Sequence, residues 1–271
     1  MLKKKKKQLT KATTFLVLLV IILLVGLTSI IIKKNTFYKI TSRVKAIEKY
    51  NENSKETKAA IGWLKVQGTN IDYPIIYADA ETDFSEMLDD FTWMINDVDK
   101  LINRVYIFGH NILNVSSNPI ITDENHHRFE QLPSFMYTSF AKENKYIQYT
   151  IAGKDYLYKI FSVSIINDFD LYHESVEFSK DALKEYIDQS LKDSFYDYDI
   201  DVNENDNIIT LGTCTRFYGT TTRYTYKIDA RMVREDEKIT NYDLKETKNY
   251  KQIKEKLDTN LEGEEEDAKE L

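Results

Sequence analysis

The chain has 271 residues and a mass of 31.9 kDa, 42% hydrophobic and 30% charged, which is a globular balance and excludes disorder over the whole length. A single cysteine excludes an internal disulfide framework and any multi-cysteine zinc or iron–sulfur site. The net charge of −7 conceals a split: the first 34 residues carry eight lysines and no acid, so the remainder holds about −15 and makes a poor nucleic-acid binder.

Lys3–Lys7 precede Thr13–Ile32, an uncharged stretch of twenty residues rich in Leu, Ile and Val, long enough as a helix to span a bilayer core. No small-x-small cleavage site stands before Lys33-Lys34, so the stretch reads as an uncleaved anchor and not as a secretory signal. Five clustered lysines before it and two after it place residues 1–12 in the cytoplasm and everything beyond Lys34 outside the cell, a single-pass plasma-membrane protein. In the juxtamembrane region, residues 33–58, Phe37, Ile40, Val44 and Ile47 fall on one stripe of a helix predicted over 36–50, followed by a polar linker.

Ile61–Val66 and Ile71–Ile76 read as two strands around a Gly68-Thr-Asn turn. Between Glu81 and Leu101 the positions of Met87, Leu88, Phe91 and Ile95 predict a helix face. Val105–Phe108 is a short buried strand that stops at Gly109, and a polar, turn-rich loop of about a dozen residues follows it. Two further strands, 146–151 and 156–166, flank the turn Ala152-Gly-Lys-Asp. Ser179 is a helix N-cap with Phe178 and Leu183 as a hydrophobic staple; Leu183, Tyr186, Ile187 and Leu191 form the buried stripe of a helix ending near Phe195. Strands at 208–211 and 224–233 complete one mainly β domain over 59–236, of a size that buries around 70% of its unfolded surface. Residues 237–271 read as a charged acidic tail, because the last 21 residues hold eight acidic and four basic side chains.

Chemistry centres on Cys214. A lone cysteine is most often a small buried hydrophobe. This one ends an apolar strand, in Thr210-Leu-Gly-Thr-Cys, where a polar loop opens. A thiol is mostly protonated at neutral pH, so a nucleophilic cysteine needs a base or a cation beside it. Of four histidines, His110 is the best placed: Ile107-Phe-Gly-His-Asn sets it, too, at the end of a buried strand, after a glycine that permits close backbone approach. His126 and His127 lie in one polar loop and His173 in another. Arg223 begins the next strand and can point back toward Cys214; Arg216 is a second candidate cation, although a loop arginine is usually solvated, and Arg231 is about 26 Å further along at strand rise.

Thr210-Leu-Gly-Thr-Cys214 with Arg223 nine residues on, Gly109-His110-Asn111 about a hundred residues upstream, and the amino-terminal anchor together resemble a sortase, the membrane-anchored cysteine transpeptidase of Gram-positive bacteria. Trp63-Leu-Lys-Val-Gln-Gly-Thr-Asn-Ile-Asp-Tyr-Pro-Ile and the helix before the cysteine strand look like class B, although the Gly-Ser-aromatic stretch before the His strand is missing and Gly212 stands where a serine is common. The resemblance covers 59–236 and implies a closed eight-stranded β-barrel with peripheral helices, preceded by one transmembrane helix. It also implies that Cys214 attacks a backbone carbonyl of a C-terminal sorting signal, that His110 is the acid and base, and that Arg223 stabilises the oxyanion with the backbone N–H of Thr215. Thr213, Thr215 and Asn111 would then contact substrate. Implied partners are secreted proteins with a sorting motif, of the Asn-Pro-x-Thr kind in many class B enzymes, and an acceptor amine from peptidoglycan or a pilin lysine. No cofactor is implied, and His126-His127 beside Asp123 and Glu124 is the ordinary solvated pattern of loop residues rather than a metal site. Two other functions fit the same residues: a cysteine hydrolase that releases its acyl group to water, and a non-enzymatic surface scaffold in which Cys214 is merely structural.

Overall fold

A computed structural model of the chain describes residues 38–53, 59–77, 92–94, 99–111, 129–167, 175–215, 217–218, 224–255 and 257. The expected anchor at 13–32 and the basic tail before it lie outside these residues. By contacts the chain divides into two units. One comprises 40–237 with 242–271; of the other, 1–39 with 238–241, only 38–39 and 238–241 are described.

The larger unit is built on a closed eight-stranded barrel. Its strands are β1 (Ala60–Val66), β2 (Asp72–Tyr77), β3 (Thr92–Met94), β4 (Arg104–Gly109), β5 (Tyr146–Ile151), β6 (Lys154–Asn167), β8 (Ile208–Thr215) and β9 (Tyr224–Met232), in the order β1-β2-β3-β4-β8-β9-β6-β5, with β5 closing onto β1. Closure leaves no exposed edge. β2–β3 and β4–β8 are parallel, and the remaining barrel pairs are antiparallel. β1 shows the alternation of a half-buried strand, whereas β4, β5 and the middle of β6 are buried along nearly every residue because helices or loops cover their outer face. The β5–β6 turn is the two-residue Ala152-Gly153, both at positive φ (50° and 71°), tighter than the four-residue turn expected and matched to the twist of its strands.

The described helices are α1 (Val44–Asn53), α2 (Thr138–Glu143), α3 (Lys180–Asp193) and α4 (248–255), with a 3-10 turn over Leu132–Met136. α1 starts eight residues later than the predicted helix. Backbone groups that would have opened it are taken by barrel side chains: Gln148 accepts from the Thr41 N–H and donates to the Thr41 carbonyl, and Asp155 accepts from the Arg43 N–H. The Arg43 guanidinium grips Asp72 with two bonds of 2.8 and 2.6 Å, and Ile40 is left exposed. The helix predicted across 81–101 is corrected at its centre, where 92–94 form β3; the rest of that stretch up to residue 98 is outside the described residues. Thr92 and Trp93 are strand formers, and ladders on both sides outweigh a weak helical pattern.

α3 conforms closely to its prediction. Ser179 accepts from the Ala182 N–H as N-cap, and Phe178 joins the cluster of Phe161, Leu183, Ile187 and Ile208. Leu191, placed on the buried stripe, is instead 42% exposed, and the small Ser190 beside it is the residue that meets the barrel.

The expected solvated tail is corrected over the described residues between 242 and 257, while 258–271 lie outside the described residues. Tyr242, Leu244, Tyr250, Ile253 and Leu257 are buried. β10 (Leu244–Glu246) pairs with β7 (Tyr196–Tyr198) in a second, two-stranded sheet, and Thr247 caps α4 while donating to the carbonyls at the end of α3. Lys145 donates to the Tyr242 carbonyl, and burial pulls its ammonium down to about 8.

Candidate active site

β4 and β8 run parallel and adjacent, with Arg104 opposite Ile208 and Phe108 opposite Gly212. The same register carried two residues further sets His110 beside Cys214, on one face and at one end of the barrel. Cys214 is exposed near the end of β8, which extends through Thr215 rather than stopping at Leu211. His110 is half-buried immediately after β4.

Two hydrogen bonds tie these strand ends together, and a third holds the His110 carbonyl. Thr213 Oγ1 donates to the Gly109 carbonyl at 2.7 Å, Asn111 Nδ2 donates to the Cys214 carbonyl at 3.1 Å, and the Phe129 N–H donates to the His110 carbonyl at 3.0 Å. Each holds main chain, so Cys214 and His110 sit on positioned backbone. Because a trans peptide points its C=O and N–H in opposite directions, the Asn111 bond also turns the Thr215 N–H toward β9.

Thr213, Thr215 and Asn111 were expected to touch substrate. All three are buried, at 4%, 2% and 5% exposure, and the Thr215 hydroxyl accepts from the Phe217 N–H. Their side-chain hydrogen bonds here are made within the chain, with Gly109, Phe217 and Cys214. Arg223, with Arg216, His126, His127 and His173, lies outside the described residues. Among the described residues no group of three or more His, Cys, Asp or Glu side chains is placed to hold a metal ion.

The face that carries His110 and Cys214 continues inward as two rows. On β4, Tyr106, Phe108 and His110 follow one another, with Tyr106 and Phe108 rings 4.2 Å apart. Trp93 of β3 lies against Phe108 at 6.0 Å and against the His110 ring at 4.7 Å. On β8, the row is Ile208, Thr210, Gly212 and Cys214, and α3 covers its inner half through a buried polar cluster. The Tyr186 hydroxyl lies 2.7 Å from both Thr210 Oγ1 and Asp229 Oδ1, and Lys227 Nζ stands 3.1 Å from Asp229 Oδ2 and 3.0 Å from Ser190 Oγ. Burial alone pulls the Lys227 ammonium down, but the charges of Asp229 and Tyr186 and their hydrogen bonds outweigh it and hold it above its ordinary value. Arg104 lies 4.9 Å from the Tyr186 ring centre and 4.9 Å from that of Tyr106.

Nothing in the sequence singled out Trp93 or the α3 cluster. The aromatic in a three-residue strand gives no periodic signal, and the members of the cluster are distant in sequence.

Comparison with known proteins gives consistent relatives. No family model matches the chain. It is 24% identical over 179 residues to Sortase B of Staphylococcus aureus, covering 62% of this chain and 68% of that protein. With Sortase B of Listeria monocytogenes it is 25% identical over 173 residues, covering 59% of this chain and 64% of that one. The crystal structure of Clostridium perfringens sortase B superposes with a TM-score of 0.54 at 25% identity, over 70% of this chain and 99% of that one. Sequence relatives and barrel topology agree: the chain is similar to class B sortases in both sequence and fold.

Proposed function

We propose that the chain is a cysteine transpeptidase with Cys214 as its nucleophile, His110 as its general acid and base, and Arg223 as the cation that stabilises the oxyanion. What supports the reading is the parallel β4–β8 register, which carried two residues past its last pair brings His110 alongside Cys214, together with the Asn111 bond to the Cys214 carbonyl. Arg223 is assigned by its sequence position nine residues after Cys214 and directly before β9.

In the first half-reaction the Cys214 thiolate adds to the scissile carbonyl, the C–N bond breaks, and the leaving amine takes a proton from His110. In the second, an acceptor amine gives a proton to His110 and attacks the thioester, a new C–N bond forms, and the thiolate leaves. A guanidinium aimed at the oxygen stabilises both tetrahedral intermediates.

The donor we propose is the C-terminal sorting signal of a secreted protein, and the acceptor a peptidoglycan amine or pilin lysine at the outer surface of a single-pass membrane protein anchored by 13–32. Two solved neighbours support peptide chemistry of this kind: one is a Staphylococcus aureus sortase B–substrate complex, and another is a sortase B complexed with triglycine.

The test incubates the full-length chain in detergent with sorting-signal peptides and triglycine, with mass spectrometry of enzyme and products. An acyl adduct on Cys214 and a triglycine-linked product, both lost in Cys214→Ala, are expected. An adduct that yields only hydrolysed peptide points instead to a hydrolase. No adduct, with thiol reactivity unchanged by His110→Ala, points to a scaffold.

A further inference from the structure

We infer that Trp93 is a positioning residue for His110, an aromatic wall that restricts the imidazole to the orientation needed for proton transfer. This rests on His110 acting as the acid and base.

The position of Trp93 is fixed from three sides. Its backbone is paired with Ile76 of β2 on one side and with Phe108 of β4 on the other. Its neighbour Thr92 donates a side-chain bond of 3.0 Å to the Pro74 carbonyl. The indole packs with Ile76 and Phe108 and is only 6% exposed. It stacks on Phe108 at an interplanar angle of 17°, and its reach past Phe108 brings it to 4.7 Å from the His110 ring at a tilt of 53°.

That contact matters because of where the β3–β4 ladder ends. Its last pair is Thr92 with Gly109, and His110 is the next residue along β4's path. The His110 backbone is held through its carbonyl, but a backbone bond leaves χ1 and χ2 of the imidazole to rotate. The indole occupies one side of that rotation. The π-face offers the ring protons only a weak acceptor, and it tolerates the charged form that proton uptake creates. Restricting an acid–base group to its productive geometry acts on the chemical step and leaves substrate affinity largely alone.

A purely structural role makes a different prediction. If Trp93 only fills space beside Ile76 and Phe108, leucine retains much of its value and any loss follows stability. If it positions His110, ring shape is what counts.

The experiment compares wild type, His110→Ala, Trp93→Leu and Trp93→Phe as full-length chains in detergent. It measures kcat and KM for an Asn-Pro-x-Thr peptide with triglycine, and melting temperature by circular dichroism. The expected result is that Trp93→Leu lowers kcat by about 10- to 100-fold with KM within about 2-fold, and that Trp93→Phe recovers most of the loss. A Trp93→Leu enzyme with wild-type kcat, or a loss not recovered by Trp93→Phe, overturns the inference while His110→Ala remains inactive. Wild-type and His110→Ala enzymes of equal activity, or a wild type with no turnover, overturn the reading of His110 itself and the role of Trp93 with it.

Discussion

A Cβ built on Gly212 would overlap the Tyr106 hydroxyl and the carbon that bears it, so the ring of Tyr106 occupies the place of a side chain two residues before Cys214. Overpacking of this kind costs roughly 1–3 kcal/mol. Gly212→Ser is therefore expected to lower the urea midpoint, and Tyr106→Leu, harmful alone, to relieve part of that loss when combined with it. Additive single effects in the double-mutant cycle would show that the two sites do not meet. Asn111 is the second residue whose role is defined by what it touches. Asn111→Ala removes the donor to the Cys214 carbonyl, with an expected stability loss of about 1–3 kcal/mol and, on the proposed role of Cys214, a drop in acylation rate of roughly tenfold as the Cys214 peptide shifts. Stopped-flow measurement of acyl-enzyme formation separates the rate effect from the loss of fold.

At the scale of elements, α3 is attached to β8, the strand that carries Cys214, by polar groups as well as by its apolar stripe. Tyr186→Phe deletes the hydroxyl shared with Thr210 and Asp229 and should cost about 1 kcal/mol. Asp229→Ala leaves the Lys227 ammonium buried without its counter-charge and should cost more, on the order of 3–5 kcal/mol. Equal midpoints for the two variants in urea unfolding would contradict this. α3 was also the most legible element, because its N-cap, staple and stripe are local signals that its contacts reinforce. β3 was illegible for the opposite reason: three residues cannot display a period, and their strand state comes from β2 and β4, which flank them in space. The candidate site divides in the same way. Cys214 and His110 were readable as strand-end residues, whereas the burial of Thr213, Thr215 and Asn111 follows from a register between strands about a hundred residues apart.

Over the whole molecule, the C-terminal segment is part of the folded unit. Truncation after Asn241 removes five buried side chains, each contributing roughly 1.5 kcal/mol or more, which approaches the entire stability of a typical domain. The truncated chain is expected to lack a cooperative thermal transition. A wild-type melting curve would show that β10 and α4 are dispensable.

Glu237 makes the stability of this unit sensitive to acid. Burial pushes its carboxyl up, but hydrogen bonds from Arg231 and Lys159 and from the Arg234 N–H outweigh that and hold it at about 2, against an ordinary value of 4.5. Its contribution is complete above that ordinary value and is lost as pH falls from there toward 2. Glu237→Gln should therefore lower the melting temperature at about pH 6 and flatten its decline in acid. An unchanged slope would mean that Asp72 and Asp155, both also held low against the effect of burial by their hydrogen bonds, dominate instead.

Local patterns in the sequence were sufficient for the elements whose cause is local: the β1–β2 and β5–β6 hairpins, the cap and stripe of α3, and a cysteine and a histidine each set at a strand end. The closed eight-stranded order came from resemblance to a family and is realised in the structure. Tertiary structure alone decided that 92–94 form a strand, that 242–257 pack against the barrel, that Asn111 braces Cys214, and that Trp93 lies against His110. The physical reason is common to all four. Each depends on a ladder, a buried face or a ring contact supplied by residues far away in the chain, and no short-range period records such a partner.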